Sequence, residues 1–217
     1  MKTNEDLQHD VRSELAWDPR VDDANIDTVV TGGVATLKGT VPTFADRLAA
    51  ERAAERVFGI RAVANELAVA VPIHFERSDT DIAHAVVNAL SWDVEVPDAR
   101  IKSSVSNGVV RLDGNVDFNY QREAATKAVR NLSGVREVIN GITVTPKGAA
   151  ASDVRQSIKQ ALERRADRTA DRIEVQTAGG VVTLTGQVPS IGDRRAAEGA
   201  AWSAPGVTDV RDEVVVL

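Results

Sequence analysis

Apolar residues recur along this chain in two successive patterns, and the same succession appears three times. The first pattern places apolar residues at positions i, i+4 and i+8, which form one stripe along a helix. The second pattern alternates apolar and polar residues, which is typical of strands with one buried face. The helical stripes are Leu7, Val11 and Leu15; Ile82, Val86 and Leu90; and Val154, Ile158 and Leu162.

Two adjacent alternating segments in each copy are joined by a two-residue turn. The turns are Gly32-Gly33, Asn107-Gly108 and Gly179-Gly180. Asn-Gly and Gly-Gly pairs favour the type I′ hairpin, which requires a positive φ at both central residues. We therefore predict three hairpins with a positive φ at the turn glycines, which are Gly33, Gly108 and Gly180.

A second helix and a third strand complete each copy. The second helix is rich in alanine, and a glycine such as Gly59 follows it as a stop signal. A helix that joins the second and third strands predicts a right-handed parallel crossover. Each unit is thus predicted to be α-β-β-α-β, with a three-stranded mixed sheet and two helices on one face. A glycine on the inward face of the second strand, such as Gly39, indicates a bulge or the close approach of a helix.

The repeat defines the domain organisation. Leu15 and Trp17 recur 75 positions later as Leu90 and Trp92, and Leu90 recurs 72 positions later as Leu162. A period of this length indicates tandem copies of one folded unit. We predict an α+β protein with domains at 3–70, 78–145 and 150–217, each with its own small core.

Composition and charge narrow the function classes. The net charge is -6, and the first third carries more acidic than basic residues, which argues against nucleic-acid binding. The absence of cysteine excludes disulfides and thiol chemistry. No signal peptide and no stretch of about 20 apolar residues is present. A soluble, cytoplasmic protein is expected from the sequence as it stands, or a periplasmic one if a leader was removed.

No group of residues predicts catalysis, a metal site or a cofactor. Asp6 and Asp81 recur, but at helix starts, where a carboxylate caps free backbone N–H groups. His9 and His84 are equivalent positions in separate copies, and one imidazole per domain makes no metal site. Asn65 also recurs in the second copy, and we expect it to hold the junction between a helix and a strand. An enzyme is thus the least favoured class.

The segment from Asn25 to Val41 resembles the centre of a BON domain, named from bacterial osmotically inducible and nodulation proteins. Arg47, the alanine-rich helix and the segment from Gly59 to Leu67 share that resemblance. It extends over about nine-tenths of the chain as three tandem copies. The resemblance implies a non-enzymatic, transport-associated bacterial module that binds phospholipid or other envelope components in the osmotic stress response.

Two features are candidates for a lipid-binding surface. Trp17 and Trp92 end the first helices of two copies, and tryptophan suits the boundary between apolar and aqueous surroundings. The alternative is that each tryptophan covers the small core of its domain. The third copy has a basic cluster at the same place, which either meets anionic headgroups or forms a solvated face of mixed charge. The cluster comprises Lys159, Arg164, Arg165 and Arg168.

The sequence therefore predicts a binding protein and leaves its partner open. The first hypothesis is an anionic phospholipid surface or an envelope protein. The alternative is a protein–protein scaffold in which tandem domains add avidity. The oligomeric state and the arrangement of the three domains are not predicted.

Overall fold

The structure is a computed structural model that describes residues 2–145, Ile158 and residues 173–217. We call the three repeats domains 1, 2 and 3. Domain 1 contains α1 (Asn4–Trp17), β1 (Ile26–Thr31), β2 (Val34–Val41), α2 (Phe44–Arg56) and β3 (Ala62–Val69). Domain 2 contains α3 (Asp79–Trp92), β4 (Ile101–Ser106), β5 (Val109–Val116), α4 (Asn119–Val129) and β6 (Glu137–Val144). In the described part of domain 3 lie β7 (Ile173–Ala178), β8 (Val181–Val188), α5 (Ile191–Trp202) and β9 (Asp209–Val216).

The helices begin at the capping residues that the sequence predicts. Thr3 accepts a hydrogen bond from the backbone N–H of Asp6, and the Asp6 carboxylate accepts one from the backbone N–H of Thr3. Ser78 and Asp81 form the same reciprocal pair at the start of α3. These bonds lower the pKa of both aspartates, because they stabilise the charged carboxylate. The recurring acids are thus capping residues, which accounts for their position without any catalytic role.

Each sheet has the predicted mixed topology. The second strand lies in the centre, antiparallel to the first strand and parallel to the third. The turn glycines have positive φ angles of 79° at Gly33, 75° at Gly108 and 85° at Gly180. The fold class is therefore the α+β unit that the residue pattern predicts.

The glycine inside the second strand has one of the two causes expected, the close approach of a helix. Gly39 pairs with Ile26 in an unbroken register, so there is no bulge. A short 3₁₀ helix, Asp23–Asn25, does approach it, because a Cβ at Gly39 would overlap the carbonyl oxygen of Asn25 just before β1. Gly114 meets the carbonyl oxygen of Arg100 in the same way. The residue just before the first strand lies so close to this glycine of the second strand that no side chain fits there.

The cores lie between the sheet and the helices of each domain. In domain 1 the stripe of α1 and the alanines of α2 pack on the inner face of the sheet, where Leu37 is completely buried. The apolar cores of domains 1 and 3 are continuous, and Ile158 belongs to them. Phe44 of domain 1 joins the core of domain 2, so the domains are packed together.

The second helices of the three domains make the contacts between domains. The start of α2 in domain 1 meets the end of α4 in domain 2, and the start of α4 meets the end of α5 in domain 3. The start of α5 in turn meets the end of α2, which returns to domain 1. A head-to-tail contact that closes after three steps forms a ring with an approximate threefold rotation.

Candidate functional site

The ends of the first helices expose the two recurring tryptophans. Trp17 is 82% exposed and Trp92 is 86% exposed. The alternative that they cover the cores is therefore wrong. A large aromatic side chain with this exposure gains nothing from the fold, so these positions are available for contact with another molecule.

A buried carboxylate fixes the position of Trp17. Asp18 follows it directly and has a side chain only 4% exposed. The guanidinium of Arg20 donates two hydrogen bonds to Asp18, and Arg56 at the end of α2 donates a third. Arg20 first and then Arg56 hold the pKa of Asp18 well below its usual range. These three hydrogen bonds hold the residue that follows Trp17 and so fix the end of α1.

The end of the first helix has different contacts in domain 2. Asp93, the equivalent of Asp18, accepts a hydrogen bond from the backbone N–H of Glu95. Val94 beside it is completely exposed, and Val87 on α3 is 58% exposed. Val94 thus adds exposed apolar surface two residues beyond Trp92.

The basic cluster predicted for domain 3 lies outside the described residues, and its place relative to the tryptophans stays a prediction. Its members are Lys159, Arg164, Arg165 and Arg168. Arg164 occupies the position that is Trp17 in domain 1 and Trp92 in domain 2.

Equivalent positions meet at all three junctions between domains, but with different chemistry. The first position starts the second helix and is Phe44, Asn119 or Ile191, each buried. It faces the last turn of the next domain's second helix, where the equivalent residues are Arg130, Trp202 and Glu55.

The junction between domains 3 and 1 is closed by an ion pair. Nη2 of Arg195 lies 2.7 Å from Oε1 of Glu55, and Glu51 lies farther from the same guanidinium, at 3.8 Å. Burial raises the pKa of Glu55, while the charge of Arg195 opposes that rise. The cation of domain 3 is thus matched by carboxylates of domain 1.

The junction between domains 2 and 3 is aromatic. The guanidinium of Arg122 lies 4.4 Å from the ring centre of Trp202, a cation–π contact across the domain boundary. Phe118 and Tyr120 stack beside it with ring centres 5.7 Å apart. Here the cation is matched by the face of an indole.

The junction between domains 1 and 2 holds a basic cavity, which we call the arginine cavity. It has a volume of about 390 Å³. Three arginines from two domains line it, together with polar and apolar residues of α2 and the end of α4. The residues that define its character are Arg20, Asp46, Leu48, Arg52, Arg130 and Asn131.

Neither metal binding nor membrane spanning has support in the described part of the chain. Within those residues no group of three or more His, Asp or Glu side chains could hold a metal ion. The helices described there are all too short or too polar to cross a bilayer. His9 and His84 are exposed and lie on different helices.

Comparison with known proteins agrees with the repeat and the topology. The model of the BON domain matches residues 3–71, 78–146 and 150–217. The chain belongs to the BON domain family. Proteins of the BON family are generally non-enzymatic.

Two curated relatives share part of this BON array. The 21 kDa hemolysin of Actinobacillus pleuropneumoniae is 29% identical over 142 residues, which is 64% of this chain and 73% of the hemolysin. Osmotically-inducible protein Y of Escherichia coli (strain K12) is 26% identical over 136 residues, or 61% of this chain and 68% of that protein. Each match is long enough to span two BON domains.

Among solved structures, CdsD has a detectable likeness to this BON protein. CdsD is a structural protein of the type III secretion system of Chlamydia trachomatis. The match covers 98% of this chain and 92% of CdsD, with 17% identity and a TM-score of 0.28. That score is too low to establish a common arrangement of the whole chains.

Sequence reasoning located the tryptophans but missed the junctions. The missed signal is the first position of the second helix, which is Phe44 in domain 1 and Ile191 in domain 3. An apolar residue at a helix start that the local core does not need indicates a neighbour. The identity of that neighbour depends on the folded arrangement.

Proposed function

We propose that this protein binds the surface of phospholipid membranes through the helix ends that carry Trp17 and Trp92, and that it does so in the response to osmotic stress. The observation that carries the proposal is the exposure of both side chains, 82% and 86%, at equivalent positions of two domains. Tryptophan favours the interfacial zone of a bilayer because its ring is apolar and its N–H can stay hydrated.

The ring of domains supports simultaneous contact by both helix ends. A threefold rotation leaves equivalent residues at the same height along the rotation axis. We infer that Trp17 and Trp92 lie at one level along this axis and that one membrane surface contacts both. Two anchors on a rigid body bind more tightly than either alone, because the second contact is intramolecular.

Charge sets the character of this binding. The net charge of -6 repels an anionic membrane at long range, so insertion of apolar groups has to supply most of the affinity. Val94 adds apolar surface beside Trp92. The cluster around Arg164 and Arg165 supplies local attraction to anionic headgroups, at about 1 kcal/mol for each basic residue near the surface.

The relatives support an envelope role. One is named for its osmotic induction and the other as a hemolysin, a name that refers to the lysis of red cells, which is an effect on a membrane. Both are related to this chain through shared BON sequence. The relatives therefore support a role at the envelope in general, and they do not bear on the helix-end site in particular.

The experiment is co-sedimentation with vesicles of zwitterionic lipid alone and of zwitterionic lipid with a third of anionic lipid, at low and high salt. We expect the wild type to bind and its tryptophan emission to shift to shorter wavelength. The double variant Trp17→Ser/Trp92→Ser should lose binding at least about tenfold, since two interfacial anchors are removed. Trp202 is then the remaining tryptophan, and its emission wavelength should not shift on addition of vesicles.

Matched controls separate insertion from general surface polarity. Val29→Ser/Val34→Ser removes two exposed apolar side chains from the outer face of the domain 1 sheet and should bind as the wild type does. Arg164→Glu/Arg165→Glu should weaken binding only to anionic vesicles and only at low salt. Absence of wild-type binding to every vesicle would overturn the proposal and favour the scaffold alternative.

A further inference from the structure

The arginine cavity brings two positive charges together across a domain boundary. Arg52 lies on α2 of domain 1, and Arg130 follows α4 of domain 2. Among the described residues, neither guanidinium takes part in an ion pair or a hydrogen bond. The charge of Arg52 is partly offset by Glu55 on the same helix, whereas the charge that acts on Arg130 is that of Arg52, and this repulsion opposes the packing of the two domains.

The third arginine and the nearby carboxylates leave this imbalance in place. Arg20 is tied to the buried Asp18 by two hydrogen bonds and also lines the cavity. The carboxylate of Asp46 accepts hydrogen bonds from the backbone and the hydroxyl of Thr43 at the start of α2. Both carboxylates are therefore committed to other partners, and the cavity remains rich in unused donors.

The charge of Arg130 is already disfavoured in this position. Burial lowers the pKa of its guanidinium, and the positive charge of Arg52 lowers it further. A guanidinium does not lose its proton near neutral pH, so the unfavourable interaction persists until an anion compensates it.

The other two junctions indicate what is missing here. Arg195 has Glu55 as its counter-charge, and Arg122 has the ring of Trp202. At the equivalent place between domains 1 and 2, the described residues offer no such partner. The difference is specific to this junction, since Lys127, the domain 2 equivalent of Arg52, does not line the aromatic cavity.

We propose that the arginine cavity binds a phosphate group, as inorganic phosphate or as a phosphate monoester, between Arg52 and Arg130. Guanidinium groups match tetrahedral phosphate oxygens with paired N–H donors. The start of α2, where Ala45 lines the cavity, adds the positive end of a helix dipole. Asn131 contributes an uncharged amide donor.

Phosphate binding at this place joins two domains. Because the anion contacts side chains of both, it stabilises the junction as well as the folded state. The inference is separate from the membrane proposal, since the site uses none of the residues at the exposed helix ends.

The test compares wild type, Arg52→Gln, Arg130→Gln and the control Lys127→Gln by calorimetric titration and thermal unfolding. Sodium phosphate is the ligand, and sodium chloride at equal ionic strength is the reference. We expect phosphate to raise the wild-type Tm and each cavity variant to bind about tenfold more weakly, because each loses a charged hydrogen bond. Lys127→Gln removes the same charge outside the cavity and should bind as the wild type does.

A second readout distinguishes ligand binding from a structural role. Without phosphate, Arg130→Gln should have a higher Tm than the wild type, because one of two repelling charges is gone. A structural role predicts the opposite sign. The proposal is overturned if wild type does not respond to phosphate in any form, or if both cavity variants bind it as the wild type does.

Two further binding experiments identify the source of the phosphate group. Glycerol phosphate tests a soluble monoester, and vesicles with phosphatidic acid present the same group on a membrane. Dependence on Arg52 and Arg130 in one of these experiments identifies that source, and dependence with inorganic phosphate alone identifies the free anion as the ligand. Trp17→Ser/Trp92→Ser should retain binding of soluble phosphate, so failure of the membrane proposal leaves this result intact.

Discussion

Arg56, the last residue of α2, donates a hydrogen bond to the buried carboxylate of Asp18 just beyond α1, with 2.9 Å between Nη2 and Oδ2. The same guanidinium reaches Glu14 on α1 at 2.7 Å. This contact joins the ends of the two helices of domain 1. It also sets the direction of the chain at Trp17.

Asp18→Asn should lower the free energy of unfolding by about 1 kcal/mol at pH 7. The value is modest because Arg20 and Arg56 both reach solvent. Asp93→Asn is the matched control, because domain 2 has Glu95 and Asn131 where domain 1 has the two arginines. Chemical denaturation of both variants measures the difference, and equal losses would contradict the role of the arginines.

The stability difference between wild type and Asp18→Asn should depend on pH. The folded protein lowers the pKa of Asp18, so the unfolded chain takes up this proton first as the pH falls. The stabilisation is therefore complete at neutral pH and declines below about pH 5, toward the lowered folded pKa. A difference that stays constant from pH 7 to pH 3 would contradict this linkage.

Thr28→Val should stabilise the protein by about 1 kcal/mol. The Thr28 hydroxyl oxygen is buried and has no hydrogen-bond partner, and an unsatisfied buried hydroxyl is unfavourable. Domain 3 already has valine at the equivalent position, Val175. Thr36→Val, on the partly exposed face of β2, is the control and should change the Tm little. A lower Tm for Thr28→Val would show that the hydroxyl has an unrecognised partner.

Gly108→Ala should destabilise domain 2 by about 1–2 kcal/mol. Its φ of 75° is unfavourable for alanine, and a Cβ would lie 2.7 Å from the carbonyl oxygen of Gly134. Gly199→Ala is the opposite case, because that glycine lies inside α5 with open space around it. It should stabilise by up to about 1 kcal/mol through helix propensity. Thermal unfolding of both variants should give shifts of opposite sign.

Arg195→Glu should open the ring of domains. The substitution places a third carboxylate beside Glu51 and Glu55 and replaces attraction by repulsion across the junction. We expect a larger radius of gyration in solution scattering, together with unfolding in more than one step. Arg211→Glu, exposed on the outer face of the domain 3 sheet, carries the same charge change and should leave both measurements unaltered. If Arg195→Glu also leaves them unaltered, apolar packing alone closes the ring.

Short-range patterns were sufficient for the fold of each domain. The hairpins followed from Gly-Gly and Asn-Gly pairs, and the helix starts from a hydroxyl and an acid three residues apart. The expected role of Asn65 is confirmed too, since its amide donates to the carbonyl oxygen of Arg47 at 3.1 Å. Asn140 repeats that bond in domain 2 with Arg122.

The tertiary structure decided what those patterns left open. Whether Trp17 covers a core or faces solvent depends on how the end of α1 packs in the folded domain, where Asp18 contacts Arg56, 38 positions away along the chain. Likewise, no local pattern indicates that Arg52 faces Arg130. Both relationships involve residues far apart in sequence, whose distance is set only when helices and domains pack.

The number of units, their secondary structure and their family were all predictable from the amino-acid sequence. These properties follow from backbone preferences and from apolar spacing within about 70 residues, which the repeat displays three times. The exposed faces and the different chemistry of the three junctions became known only from the packing of the folded chain. The physical reason is that an interface between domains depends on side chains of both partners at once, whereas a helix or hairpin is largely specified by its own residues.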